Sequence, residues 1–262
     1  MKKILASLFI LLSIAVFSAE KVAVERIEVK EEKVYLKGQQ TPFTGVVEKK
    51  YPNGRVEATL EVKDGKLNGK TFVYSEDGKV KKEENYINGL KEGVERAYYP
   101  SGKLQSEATF KKGKIEGVQK DYYESGIRKR EISYKNGLVD GITKMYYPNG
   151  NIQSEISYKK GVPDGISKTY HKNGKVNVEA TYKNGVQVGI QKDYYQNGKL
   201  KIELPLDKNG LVNGIVKIYY PSGKIMSEES YKDDKLEGTV KKYDESGKIT
   251  SEEFFKNGNR IK

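Results

Sequence analysis

The sequence predicts an all-β protein, an elongated and twisted antiparallel meander of about nine repeated 24-residue β-hairpins. Three observations carry that prediction. Glycine recurs at fixed intervals, tyrosine recurs with it, and no stretch beyond residue 19 holds a 3.6-residue apolar period. The tracts running from Gly93 and from Gly141 align without a gap, and their register extends to starts at Gly45, Gly69, Gly117, Gly165, Gly189, Gly214 and Gly238. One extra residue near Leu206–Asp207 interrupts the period.

Residues 1–19 read as a signal peptide. Lys2 and Lys3 open it, an apolar run follows to Phe17, and the small residues Ser18 and Ala19 stand at the expected cut. The apolar run is shorter than the roughly 20 residues that span a bilayer. Cysteine is absent, which excludes a lipid-modified boundary. The expected destination is the periplasm, the cell surface or the medium. Cleavage removes two lysines and no acid, taking the formal net charge from +12 to +10.

Residues 20–44 alternate apolar and charged types through Arg26–Lys30 and Val34–Gly38. That alternation predicts a hairpin capping the N-terminal edge, since a bare sheet edge invites aggregation. Residues 45–262 then hold the nine units. With the starting glycine as slot 0, slot 9 is Gly in all nine, and of 27 glycines only Gly38 lies outside slots 0, 9 and 20, counting the displaced Gly210.

Within a unit, slots 1–6 are rich in β-branched and aromatic types and predict a strand. Tripeptides such as Pro148-Asn149-Gly150 at slots 7–9 fit a type I turn followed by a left-handed glycine. Slots 10–17 form the return strand, and Lys-Asn-Gly or its relatives at slots 18–20 open the next turn. A three-residue loop opposes slot 5 to slot 11 and slot 1 to slot 15. Odd slots 1, 5, 11, 15 and 17 then form an apolar face, and even slots 6, 10, 12, 14, 16 and 18 a polar one. With no sequence left for a covering layer, the apolar face must curl on itself, form a homo-oligomer or receive a partner.

The residue types exclude much chemistry. Zero Cys and the single His171 remove disulfides, thiolate metal sites and paired-histidine metal centres. Gly65-Lys-Leu-Asn-Gly69-Lys70-Thr71 is one residue short of a phosphate loop. Glutamate fills slot 14 in eight units, from Glu83 to Glu252, and cross-strand pairing with lysines at slots 10 and 18 explains it better than catalysis. No nucleophile, base and oxyanion donor come together, so we expect neither an enzyme nor a cofactor or metal. Nucleic acid is not expected either: 42 of 48 basic residues are Lys, whereas bidentate phosphate and base recognition favours Arg.

Tyrosine fills slot 5 in eight units and slot 6 in six. Slot 5 opposes an aliphatic residue and reads as packing. Slot 6 shares the polar face with Lys and Glu in this reading, so Tyr99, Tyr123, Tyr147, Tyr195 and Tyr220 are the candidate binding residues.

A unit carrying Gly141, Tyr146-Tyr147-Pro148-Asn149-Gly150, Glu155 and Tyr158-Lys159-Lys160-Gly161 resembles the MORN-repeat variant, and Thr41-Pro-Phe-Thr-Gly45 resembles the opening of YwqK-type antitoxins. The first resemblance implies a β-hairpin array used as a binding surface for proteins or membrane lipids. The expected function is therefore an exported, non-enzymatic scaffold for a protein partner or an anionic membrane or cell surface. The antitoxin resemblance implies the alternative, an immunity-type protein that neutralises a toxin.

Overall fold

A computed structural model describes residues 19–261, and the expected signal peptide lies outside those residues except for Ala19. The all-β prediction holds: apart from one 3-10 turn at Val24–Arg26, regular structure is strand throughout. Chain order begins with β1 (Lys21–Ala23), β2 (Ile27–Lys30), β3 (Lys33–Leu36), β4 (Gly45–Lys50), β5 (Val56–Lys63) and β6 (Lys66–Tyr74). From β4 onward each strand pairs antiparallel with the next, through to Asn259–Arg260, with Leu90–Lys91 and Gly93–Tyr98 sharing one partner and Lys114–Ile115 and Gly117–Tyr122 another.

The N-terminal edge is closed by two devices. β1 pairs in parallel with β4, through Lys21–Val46 to Ala23–Glu48. β2 and β3 form a separate two-stranded sheet. Val34, Ile27 and Leu36 of that hairpin pack on a buried cluster of Val22, Phe43, Val47 and Val62. The hairpin thus covers a face of the first unit while β1 occupies its edge.

Two turn types alternate along the array. At slots 6–10 the Gly150 N–H donates to the Tyr147 carbonyl at 2.9 Å and the Tyr147 N–H to the Asn151 carbonyl at 2.8 Å. Gly150 has φ 88°, which places it in the left-handed position the sequence assigned to it. The second turn is tighter. Lys159 pairs directly with Val162, and both central residues have positive φ, 50° at Lys160 and 88° at Gly161. That is a type I′ turn, whose twist matches the flanking strands. The added residue at 206–210 replaces this turn once, with Asp207 accepting from the Leu211 N–H at 3.0 Å.

The expected face assignment is corrected by bulges. Tyr146 does oppose Ile152, slot 5 to slot 11, but Met145 opposes Ser154 and leaves Gln153 as an extra residue. The same shift occurs in all nine hairpins. Slot 1 therefore opposes slot 16 rather than slot 15, as Ile142 opposes Ser157. A one-residue slip exchanges faces for every residue beyond it. One face now gathers slots 1, 3, 5, 11, 14, 16 and 18, and the other gathers slots 2, 4, 6, 12, 13, 15 and 17.

Burial follows this division. Val47, Val62, Ala108, Ile132, Ala180, Val216 and Val240 are all buried, and all lie at slots 2, 15 or 17. Val94, Val118, Ile142, Ile166, Ile190 and Ile215, at slot 1 on the opposite face, are 38–54 % exposed. Beyond the first unit, which the hairpin covers, burial of this face without a covering layer among the described residues means that the sheet closes toward it. Bulges in every hairpin bend the strands and supply the curvature.

Candidate functional site

The slot 6 tyrosines stand where the first turn leaves the strand. Their hydroxyls do not point free. The Tyr99 hydroxyl donates to the Tyr122 carbonyl at 2.6 Å, Tyr123 to Tyr146 at 2.8 Å, and Tyr147 to Tyr170 at 2.8 Å. Tyr195 donates to the Tyr219 carbonyl at 2.7 Å and Tyr220 to Tyr243 at 2.8 Å. Each ring is half-buried and ties its turn to the slot 5 backbone one unit on. His171 Nε2 lies 3.0 Å from the Tyr194 carbonyl, so a histidine fills the same position. Lys129 and Lys201 sit over the Tyr123 and Tyr195 rings, each at 5.8 Å from the centroid. These tyrosines lie across the sheet from the slot 14 glutamates, contrary to the shared face read from the sequence.

The glutamates occupy a central row, and their partner also differs from expectation. Slot 14 opposes slot 3 on both sides, as Glu155 opposes Lys144 and Lys168. Lys144 reaches Glu155 at 2.9 Å and Lys168 reaches Glu179 at 3.1 Å. Arg96 bridges Glu83 at 3.0 Å and Glu107 at 2.9 Å. Slots 10 and 18 do not supply these ion pairs; the bulge brings slot 3 opposite instead. The slot 5 tyrosine of the next unit completes five of these carboxylates, with Tyr146 donating to Glu131 at 2.8 Å and Tyr170 to Glu155 at 2.7 Å. Hydrogen bonds from Lys144 and Tyr170 hold the Glu155 carboxyl below its ordinary value. Burial first, then the Glu155 carboxylate, pushes the Tyr170 phenol up to about 12.

A second row of polar side chains went unread in the sequence. Slot 23 side chains accept from the slot 19 backbone of the next unit. Glu92 accepts from the Lys112 N–H at 2.7 Å, Glu116 from Asn136 at 2.7 Å, and Asp164 from Asn184 at 3.0 Å. Slot 23 is Glu, Asp or Asn in seven of the nine units, and that recurrence was the available signal. The two turn edges are therefore stitched by different side chains, tyrosine on one and carboxylate or amide on the other.

What remains uncommitted is the slot 1 row. Ile142, Ile166 and Ile190 oppose Ser157, Thr181 and Pro205, so aliphatic residues alternate with small ones across the array. Beside them on the same face, Leu138, Val162 and Val186 at slot 21 are 52 %, 44 % and 39 % exposed. A continuous exposed apolar stripe of this kind marks an interaction surface. Its borders are charged: the Lys–Glu row lies on one side and the slot 18 lysines on the other. Among the described residues no His, Cys, Asp and Glu group could hold a metal ion.

The repeat now has geometry as well as period, and a family model for the MORN repeat variant matches it at residues 67–88, 91–112, 115–136, 139–160, 163–184, 187–208, 212–233 and 236–257. The chain belongs to the MORN repeat variant family. The matched segments cover more than half of it, while the first unit, with Thr59 in the glutamate slot, lies outside them except for Leu67 and Asn68. No curated protein matches the chain. MORN repeats are in general protein- or membrane-binding modules, and a binding scaffold is the coarse function this array shares.

Proposed function

We propose that this MORN repeat array is an exported, non-enzymatic scaffold that holds a protein partner or a membrane or cell surface. The observation that carries the reading is the exposed aliphatic stripe from Val94 to Ile215, repeated in six consecutive units on the face opposite the buried one. An apolar row of that length left in solvent is costly unless something covers it. The polar side chains around it are largely engaged within the array, glutamates with lysines and tyrosines, and slot 23 carboxylates with backbone. They hold the surface in shape.

In this reading Tyr99, Tyr123, Tyr147, Tyr195 and Tyr220 fix the spacing between units, and the stripe makes the contact. Export rests on the basic start, the apolar run and the small residues of residues 1–19. The test is an alkaline phosphatase reporter fused after Ala19, which is active only outside the cytoplasm. The expected outcome is full reporter activity, abolished by Leu11→Arg and Leu12→Arg in the apolar run. An inactive reporter, with the fusion protein accumulating in the cytoplasm, would overturn export.

A further inference from the structure

We infer that a cavity at the junction of the first and second units binds a hexuronic acid, a six-membered sugar ring carrying one carboxylate. The inference goes beyond the scaffold reading and does not draw on the aliphatic stripe.

The site lies where the repeat departs from its own pattern. From Glu83 onward the central row alternates carboxylate and base, with Lys or Arg at slot 3, Tyr at slot 5 and Glu at slot 14. The first unit departs in all three slots, with Glu48, Lys50 and Thr59, and Phe72 takes slot 3 of the second. Thr59 opposes Glu48 on one side and Phe72 on the other, so these departures are neighbours on one face. The N-terminal hairpin does not account for them, since the buried cluster of Val47 and Val62 on which it packs lies on the opposite face.

Lys50, Thr59 and Tyr74 line an open cavity of about 550 Å³ there. That volume falls within the roughly 300–1,000 Å³ of small-molecule sites. In five later units the slot 5 tyrosine donates to the slot 14 glutamate of the unit before, as Tyr146 does to Glu131. Tyr74 holds the same position relative to Thr59 and meets a hydroxyl in place of the carboxylate. Among the described residues, the Tyr74 and Thr59 hydroxyls and the Lys50 ammonium have no hydrogen-bond or ion-pair partner. Three donors therefore line the place where the other units hold a carboxylate, and a carboxylate from outside the chain satisfies them.

The rest of the lining selects among anions. Lys21 and Arg55 join Lys50 as cations, against the carboxylates of Glu48 and Asp77, so the wall carries a surplus of one positive charge. Lys21 reaches Glu48 at 3.3 Å, and Lys79, outside the cavity, reaches Asp77 at 3.1 Å. Arg55 donates to the Glu76 carbonyl at 2.7 Å and keeps its charge. A single carboxylate matches the surplus. A phosphate dianion exceeds it and is repelled by Glu48 and Asp77. Those two carboxylates accept hydrogen bonds, which suits a ligand rich in hydroxyls. The Tyr74 ring, stacked on Phe72 with centroids 6.1 Å apart, gives the sugar's C–H face an apolar wall. One carboxylate, several hydroxyls and an apolar ring face together describe a hexuronic acid.

The test is isothermal titration of the purified mature chain. Glucuronate serves as the free acid and a disaccharide ending in glucuronate as the glycan source, with glucose and inorganic phosphate as controls. At least one of the two acids is expected to bind roughly tenfold or more tightly than either control, the worth of one charge-assisted hydrogen bond. Thr59→Glu supplies the repeat's own carboxylate to Tyr74 and should weaken binding by roughly tenfold or more. Tyr74→Phe keeps the ring, removes one donor and should weaken binding several-fold, with far-ultraviolet circular dichroism unchanged. Lys50→Ala should weaken binding and flatten its salt dependence. Binding of the disaccharide alone, weakened in the same variants, upholds the site and assigns the source to a glycan chain. Binding of neither acid, glucose or phosphate bound as tightly as the acids, or full affinity in both Thr59→Glu and Tyr74→Phe would overturn the proposal.

Discussion

At slot 6 one hydroxyl per unit helps tie successive turns together, beside Asn149 and Asn151, which donate to the Lys172 carbonyl. Tyr147→Phe keeps the ring and removes the donor to the Tyr170 carbonyl, which should cost about 0.5–1.5 kcal/mol in urea unfolding. His171→Tyr is expected to move the other way, because Tyr in six sibling units makes this bond with an O–H donor of suitable reach. A lower unfolding midpoint for His171→Tyr would show that the histidine is better fitted than its siblings' tyrosine. Turn residues give the second case. Lys160 has φ 50°, where an ordinary L-residue is strained and Asn is tolerated. Four sibling units place Asn there: Asn88, Asn136, Asn184 and Asn257. Lys160→Asn should therefore stabilise the chain by up to about 1 kcal/mol, read from the same denaturant curve.

At the scale of the hairpin, what was legible and what was not divides at the bulge. Positive-φ positions announce themselves through Gly150 and Gly161, because few other residues accept that backbone. The extra residue at Gln153 has no such marker: the neighbouring units place Asn177, Lys201 and Lys129 in the same slot. Nothing in those side chains identifies a bulge, so the register beyond it, and with it the partner of Glu155, was not readable. Tyr147 was likewise legible as a special position but not as a donor, since its acceptor is a backbone carbonyl one unit away. The starting glycine separates two physical demands. A Cβ on Gly141, at φ 113°, would lie 2.9 Å from the Ser133 Cβ, whereas one on Gly150, at φ 88°, would meet nothing closer than 3.9 Å. Gly150→Ala should cost about 1–2 kcal/mol for backbone strain alone, and Gly141→Ala more. Ser133→Gly in the Gly141→Ala background should recover the excess, and failure to do so would remove the steric account.

The whole array behaves as a sum of like interfaces, and both pH and length should report it. Burial and a neighbouring carboxylate raise the phenols of Tyr170 and Tyr219 to about 12, above their ordinary value. A proton held more tightly when folded contributes stability that is complete below the unfolded value near pH 10. That contribution is lost as pH rises through about 12, so the melting midpoint should fall across this window. Tyr170→Phe with Tyr219→Phe should flatten the fall. Length gives the sharper test. Removing Gly117–Asp140 takes out one complete unit and joins Glu116 to Gly141. Every inter-unit contact then finds an equivalent: Tyr99 meets the Tyr146 carbonyl, Tyr146 meets Glu107, and Glu116 meets the Lys160 N–H. The Asp121–Arg130 ion pair leaves as a pair, so no charge is stranded. The shortened chain should keep its β-sheet circular dichroism and lose only one interface's share of stability. Removing Gly117–Arg128 instead deletes one strand, reverses the chain direction and puts every later turn on the wrong edge. Tyr123 goes with it, Tyr147 is carried away from its neighbours, and soluble yield should collapse. If both deletions fold equally well, the contacts between units are not what specifies the array.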